Sequence, residues 1–171
     1  EMMKGHIDKI TTLSLDLLNY AKLTGLKLQP EDPNTPAQEI VQLMQHRAEE
    51  KNIDFQFTPC PEKQKILMDA DAIHNCLLNL VTNAFDAFDN PDETADPGTK
   101  QVSLSIKFDK NHIIYKVKDN GSGISPSVKD SIFNQFITTK GMKGTGFGLM
   151  TTKKIIEEHQ GEIDFTSETG E

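Results

Sequence analysis

Hydrophobic residues recur at intervals of three and four between Asp69 and Asp89, which predicts one long amphipathic helix. Its apolar face consists of Ile73, Cys76, Leu77, Leu80, Val81, Ala84, Phe85 and Phe88. Polar residues follow one edge of that face and are called the polar stripe: Asn75, Asn79, Asn83 and Asp86. The Asn amide competes with the backbone for hydrogen bonds, so repeated Asn at four-residue spacing favours a polar ligand against the stripe. The alternative is a helix whose polar flank is simply rich in Asn.

The same periodicity predicts three further helices, at 7–21, 37–51 and 148–159. The first presents an apolar seam that suits a partner helix, made of Ile10, Leu13, Leu17 and Tyr20. The last turns three residues inward: Leu149, Ile155 and Ile156. Between the first two helices, residues 25–36 contain three prolines with Gly, Asn and Asp, which predicts a linker at a domain boundary.

Alternation of apolar and polar residues, together with turn residues, predicts five strands, at 53–58, 65–68, 102–108, 113–117 and 162–166. The third and fourth are joined across 109–111 and predict an antiparallel hairpin. Strands and helices in this mixed order predict an α+β fold. The expected architecture is a two-layer α/β sandwich, in which helices pack on one face of a mixed, mostly antiparallel sheet that the N-terminal helix precedes.

Composition narrows the possible functions. The chain has 171 residues, 36% of them hydrophobic, which suffices for one domain and a helical appendage. A net charge of −8 gives no basic footprint for nucleic acid, and no apolar run approaches the roughly 20 residues that cross a bilayer. Cys60 and Cys76 lack metal-ligand spacing, which favours buried reduced thiols and a cytoplasmic setting. Because the chain opens on Glu1 and stops in mid-pattern, we expect a piece of a longer protein that could be membrane-attached.

Candidate chemistry first occurs where the predicted hairpin ends, in Asp119-Asn120-Gly121-Ser122-Gly123-Ile124. A carboxylate at a strand end can accept a hydrogen bond from an amino group of a ligand. Gly121 and Gly123 permit positive φ and a close approach of the backbone to that ligand. An ordinary turn is the alternative for this stretch.

A second stretch places Gly144, Gly146 and Gly148 at alternate positions just before the last predicted helix. Exposed amides followed by a helix N-terminus suit an anion, above all phosphate. The spacing fits neither of the two common phosphate-loop patterns, so this loop alone supports nucleotide binding only weakly.

Three features follow one another along the chain: the polar stripe, Asp-x-Gly-x-Gly from Asp119, and Gly-x-Gly-x-Gly from Gly144. They resemble, in the same order, the N, G1 and G2 boxes of the ATPase fold shared by gyrase, Hsp90, MutL and the sensor histidine kinases. Residues 132–140 resemble the F box of histidine kinases, and 17–21 resemble the second helix of their dimerisation hairpin. The resemblance implies the Bergerat ATP-binding fold of a sensor histidine kinase. The implied domains are a partial hairpin helix at 1–26, a linker at 27–36, and an ATP-binding domain at 37–171 whose last strand is truncated.

The resemblance implies that this domain binds ATP and Mg²⁺. It assigns Asn83 to the metal ion, Asn79 to catalysis beside the phosphates, and Asp119 to the adenine amino group. Lys140 is a further catalytic candidate and, with Lys143, adds positive charge near the β- and γ-phosphates. The other implied nucleotide contacts are Gly121, Gly123, Ile124, Thr139, Gly144, Thr145, Gly146, Phe147, Gly148 and Leu149, and residues 125–143 are expected to form a mobile lid.

Three departures from the family pattern matter. Phe147 stands where histidine kinases usually have Leu, and Asp86 stands where one kinase subgroup has Lys. The phosphoacceptor His pattern is missing, so the five histidines are expected to be structural or surface residues: His6, His46, His74, His112 and His159. The implied partners are therefore a hairpin that carries the acceptor His and a response regulator receiver domain, within a full-length homodimer that binds no nucleic acid.

Two other functions of the same fold compete with a histidine kinase, an ATP-hydrolysing conformational clamp and a non-catalytic nucleotide-sensing module. The clamp enzymes carry a Glu four residues before the metal-binding Asn, where it activates an attacking water. Here that position is Asn79, whose amide cannot accept the proton. Phosphoryl transfer to an imidazole depends mainly on positioning and electrostatics, which favours the kinase.

Overall fold

The computed structural model of the chain describes residues 25–89, 99–110, 112–129, 131–133 and 147–167. The strands are β1 (Gln29–Glu31), β2 (Ile53–Thr58), β3 (Ile66–Met68), β4 (Lys100–Asp109) and β5 (His112–Asp119). The helices are α1 (Asn34–Glu50), α2 (Ala70–Asp86), the single turn α3 (Pro126–Lys129) and α4 (Gly148–Glu158). No helix within these described ranges is long and apolar enough to cross a membrane. The predicted helix at 7–21, residues 90–98 and most of the predicted lid lie outside them.

Two compact units make up the described chain. The larger contains the described part of 27–124 together with 165–167. The smaller contains 25–26 and the described part of 125–164, including α4. Within α4, Ile155 is buried, as predicted, whereas Leu149 and Ile156 are only half-buried. The other buried residue of the helix is Thr152, which the sequence did not predict to face inward.

In the larger unit, the sheet has the strand order β2, β4, β5. The β2 and β4 strands run parallel, whereas β4 and β5 form the predicted antiparallel hairpin with Val102 opposite Asp119. A separate ribbon pairs β1 with β3, antiparallel. The predicted α+β class with a mixed sheet is confirmed, and both ends of the predicted 53–58 strand agree with β2.

The helices α1 and α2 run in the same direction, side by side. Near their starts, His74 Nδ1 lies 3.0 Å from Glu39 Oε2, and near their ends Arg47 Nη2 lies 2.6 Å from Asp86 Oδ1. The α2 helix also packs against β4 and β5. Its fully buried Phe85 meets Phe55 of β2 edge to face, with ring centroids 5.3 Å apart. Helix and sheet thus share one apolar core, because every second residue of β4 from Val102 to Ile106 is buried.

Asp69 caps the start of α2 with one carboxylate oxygen and holds the Lys27 backbone with the other. Its Oδ1 accepts a hydrogen bond from the Ala72 N–H at 3.0 Å, which is the usual role of an acidic N-cap. Its Oδ2 accepts another from the Lys27 N–H at 2.9 Å. The segment that enters the larger unit is thereby attached to the first turn of the helix that carries the polar stripe.

Two sequence predictions need correction. The 25–36 segment, predicted as a linker, contributes β1 and begins α1 at Asn34 rather than at residue 37. Pro36 is compatible with this start because amides in a first helical turn have no intrahelical partner. The strand predicted at 162–166 is wrong: all of 161–167 is described, and it joins no ladder. Alternating exposure is present there, but a strand also needs a neighbouring strand for its backbone hydrogen bonds.

Both cysteines are free and buried, as predicted. Cys60 Sγ lies 2.9 Å from Glu62 Oε2, to which it donates, and burial is the main reason that its pKa is raised. Among the histidines in the described ranges, His46 and His112 are exposed. His159 Nδ1 lies 2.8 Å from the Ile155 carbonyl oxygen, within its own helix.

The core contact of Phe85 gives a test of the fold. Phe85→Ala should lower the free energy of unfolding by about 3–5 kcal/mol, since it leaves a cavity between α2 and β2. Leu43→Ala on α1 is the matched control, because Leu43 is 57% exposed and its truncation should change stability by less than about 0.5 kcal/mol. Denaturant titration measures both, and equal effects would contradict this account of the core.

Candidate functional site

Asp119 ends β5 with a half-buried carboxylate. The Gly121 N–H donates to its Oδ1 at 3.0 Å, while Oδ2 has no hydrogen-bond donor in the part of the chain that the structure describes. Burial raises the pKa of Asp119, and the Gly121 N–H opposes that rise. Oδ1 is therefore held in place by the loop, while Oδ2 can accept a hydrogen bond from an N–H donor of a ligand.

Asn120 anchors the loop to the start of β4. Its N–H donates to the Gln101 carbonyl oxygen at 3.2 Å, and its Oδ1 accepts from the Gln101 N–H at 2.7 Å. Its Nδ2 also donates to the Thr99 carbonyl oxygen at 3.0 Å. These three bonds hold the residue after Asp119 rigidly against the sheet, so the carboxylate has a defined direction.

The same loop closes onto the end of α2. The Ser122 N–H donates to the Ala87 carbonyl oxygen at 3.3 Å. A Cβ added at Gly121 would lie 2.6 Å from the Ala87 Cβ, so no larger residue fits without a shift. Gly123 has a φ of +71°, which a side chain would strain. The chain bends at Gly121 and Ser122. Gly121 is required there by its contact with a helix, and Gly123 by its positive φ.

The polar stripe divides along its length. Asn75 is exposed, whereas Asn79 and Asn83 are half-buried. Asp86 turns to α1 and is held by Arg47 at 2.6 Å. The carbonyl oxygen of Asn83 accepts from the Ala87 N–H at 3.1 Å, so a continuous chain of contacts runs from Asn83 through Ala87 to the Asp119 loop. Backbone hydrogen bonds at Ala87 thus connect the helix that carries Asn83 to the loop that follows Asp119.

The other predicted contacts divide between the two units. Ile124 follows the Asp119 loop, and its N–H donates to Ser167 Oγ at 2.7 Å. In the smaller unit, Phe147 is the N-cap of α4, and Gly148 and Leu149 begin that helix. A phenyl side chain cannot cap the first amides, which leaves them suited to an anion. Six predicted residues lie outside the described ranges: Thr139, Lys140, Lys143, Gly144, Thr145 and Gly146.

Sequence reasoning missed Ala87, Asn120 and Arg47. Ala87 stands one helical turn after Asn83, and its small size was the only indication that a loop could close there. The hydrogen bonds of Asn120 and the ion pair of Arg47 join residues that are far apart in the chain, which no local pattern shows. Within the described ranges, no group of three or more His, Cys, Asp or Glu could hold a metal ion.

Residues 68–171 match the family of histidine kinase-, DNA gyrase B- and HSP90-like ATPases. This chain belongs to that family. The polar stripe, the Asp119 loop and α4 all fall inside the matched range, and the predicted resemblance is confirmed.

Curated relatives of this ATPase domain include the sensor histidine kinase ZraS of Escherichia coli (strain K12). It is 31% identical over 170 residues, which are 99% of this chain and 35% of ZraS. The chain therefore spans about a third of that relative. Full-length ShkA in complex with AMPPNP superposes with a TM-score of 0.79 at 26% identity, over 95% of this chain and 34% of ShkA. ThkA in complex with the response regulator protein TrrA shares the fold, with a TM-score of 0.71 at 23% identity over 97% of this chain and 47% of that one.

The raised pKa of Asp119 gives a test of the site. The folded state binds the Asp119 proton more tightly than the unfolded state, so this contribution to stability is complete in acid and is lost as pH rises through the folded-state pKa. Asp119→Asn should remove that decline and raise the free energy of unfolding at neutral pH.

Denaturant unfolding at several values between about pH 3 and about pH 7 measures the difference. Asp109→Asn, which changes an exposed carboxylate on the same hairpin, is the control. A stability difference between Asp119→Asn and the wild type that does not grow with pH would show that burial of the Asp119 charge has no cost.

Proposed function

We propose that this chain binds Mg-ATP and donates the γ-phosphoryl group to a His on a separate helix, as the catalytic part of a protein-histidine kinase. The observation that carries the proposal is the geometry of Asp119, with Oδ1 held by Gly121 and Oδ2 presented to a ligand. The adenine amino group is a donor of the required kind. The close approach of Gly121 to Ala87, where an added Cβ would also lie 3.1 Å from Asp119 Oδ1, keeps the loop that carries this carboxylate against the end of α2.

Asn79 and Asn83 are the proposed residues for the phosphates and the metal ion. Mg²⁺ keeps several waters and takes few protein ligands beside substrate phosphates, so the amide oxygen of Asn83 is a sufficient protein contact. When bound, the metal ion would neutralise charge on the phosphates. The family resemblance adds Lys140, Lys143 and the first residues of α4, Gly148 and Leu149, as further proposed contacts of the nucleotide.

The identity of residue 79 favours the kinase over the clamp ATPase. No carboxylate stands there to orient and deprotonate water, whereas an imidazole nucleophile needs no such base. The proposed partners are a dimerisation hairpin that carries the acceptor His, with 1–26 as part of such a hairpin, and a response regulator receiver domain. The two buried free thiols support a reducing, cytoplasmic setting for the domain.

Calorimetric titration tests adenine recognition. Asp119→Asn should weaken ATP binding by about 1.5–3 kcal/mol, because a hydrogen bond to a charged acceptor is lost. Asp109→Asn should leave the ATP affinity unchanged. If folded Asp119→Asn bound ATP as tightly as the wild type, Asp119 would have no part in the site.

Phosphoryl transfer is tested with labelled ATP, in the presence and absence of a separately supplied hairpin that contains the acceptor His. The chain alone should release phosphate very slowly, since neither an activated water nor an acceptor imidazole is positioned for attack. With the hairpin, acid-labile phosphoprotein should accumulate.

Two variants in the polar stripe control this experiment. Asn83→Ala should abolish the transfer, and Asn75→Ala, which changes the exposed Asn of the stripe, should not. Rapid release of free phosphate by the chain alone, lost in Asn83→Ala, would favour the clamp-type ATPase instead.

A further inference from the structure

The C-terminal ends of α1 and α2 share a cluster of four charges. Arg47 Nη2 lies 2.6 Å from Asp86 Oδ1, and Lys51 Nζ lies 2.6 Å from Asp89 Oδ1. Lys51 Nζ is also 3.8 Å from Asp86 Oδ1. Two basic residues of one helix thus neutralise two acidic residues at the end of the other.

Asp86 occupies an unfavourable position on its own helix. It lies in the last turn of α2, where the helix dipole is negative, and that turn contains no basic residue. Because α1 runs parallel to α2, the negative ends of both dipoles lie side by side. Packing between the helices would be served as well by uncharged residues, since a partly buried ion pair adds little net stability over an apolar contact.

Asp86 lies close to Asn83, so its negative charge can affect a ligand bound at Asn83. The two residues are three apart on one helix, so their side chains are neighbours on the polar stripe. The Asp86 side chain is 20% exposed, and a charge in this position is incompletely screened by water. A polyphosphate at Asn83 would therefore meet a negative charge one helical turn away if nothing compensated it.

We infer that Arg47 determines how strongly the site binds ligands of high negative charge: it neutralises Asp86 and draws its carboxylate toward α1, away from the phosphates. This inference rests on the proposed function, because it requires the phosphates to lie along Asn79 and Asn83. Arg47 acts through Asp86 and is a positioning residue. Its effect should increase with the charge of the ligand, which a purely structural role would not produce.

The test compares adenosine, ADP and ATP by calorimetry, at low and at high salt, with the full chain and its Arg47→Gln, Asp86→Asn and doubly substituted variants. Arg47→Gln should weaken ATP binding roughly fivefold at low salt, ADP less, and adenosine not at all. Asp86→Asn in the Arg47→Gln background should restore ATP affinity. Lys63→Gln, which removes an exposed positive charge outside the helices, is the control for net charge.

The outcomes separate the inference from the function on which it rests. Failure of the wild type to bind any of the three ligands would overturn both. Wild-type binding with an equal loss for all three ligands in Arg47→Gln, not rescued by Asp86→Asn, would assign Arg47 a structural role and overturn the inference alone. An unchanged ATP affinity in Arg47→Gln would also overturn it. Weaker Mg-ATP binding in Asp86→Asn alone would identify Asp86 as a metal ligand and would likewise overturn the inference about Arg47.

Discussion

The contact between Gly121 and Ala87 is the constraint on which the candidate site depends. It joins the end of the α2 helix to the loop after β5. The approach is so close that a side chain on Gly121 would collide with the Ala87 Cβ. Through it, the direction of the Asp119 carboxylate and the position of the polar stripe are determined by the same packing. Movement of α2 relative to β5 would change both together, so the core formed by Phe85, Phe55 and β4 also controls the precision of the site.

Two carboxylates of the site, those of Asp119 and Asp86, lie where a negative charge is unfavourable. Their surroundings differ in how far they offset that charge. Asp119 loses part of its hydration and, from the residues that the structure describes, receives one compensating N–H, which leaves an acceptor for a ligand. Asp86 is placed at the negative end of a helix and is paired with Arg47 at 2.6 Å, with Lys51 at 3.8 Å. In the proposed function, Asp119 receives a hydrogen bond from the ligand. Asp86, whose charge is neutralised by a basic residue, is the neighbour of the proposed phosphate site.

Local patterns predicted the parts of this fold that are determined locally. Periodicity identified α2, α4, β2 and the hairpin, because each buries one face along a continuous segment. It missed β1, because Gln29, Pro30 and Glu31 include no apolar residue and the strand is defined by its pairing with β3. It also predicted a strand at 162–166 from alternation alone, and among the described residues no strand pairs with this segment. In the site, Asp119 and the glycines were predicted from their chemistry, but Ala87 and Arg47 were not, because their roles come from contacts between distant segments.

Asp69 links two parts of the chain that have separate tasks. One of its oxygens caps the helix that carries Asn79 and Asn83, and the other holds the backbone of Lys27, where the chain enters the larger unit. The β1–β3 ribbon lies immediately beside this bond, with Gln29 opposite Met68. Because one carboxylate accepts both bonds, a change in the backbone at Lys27 would alter the N-cap of the helix that carries Asn79 and Asn83.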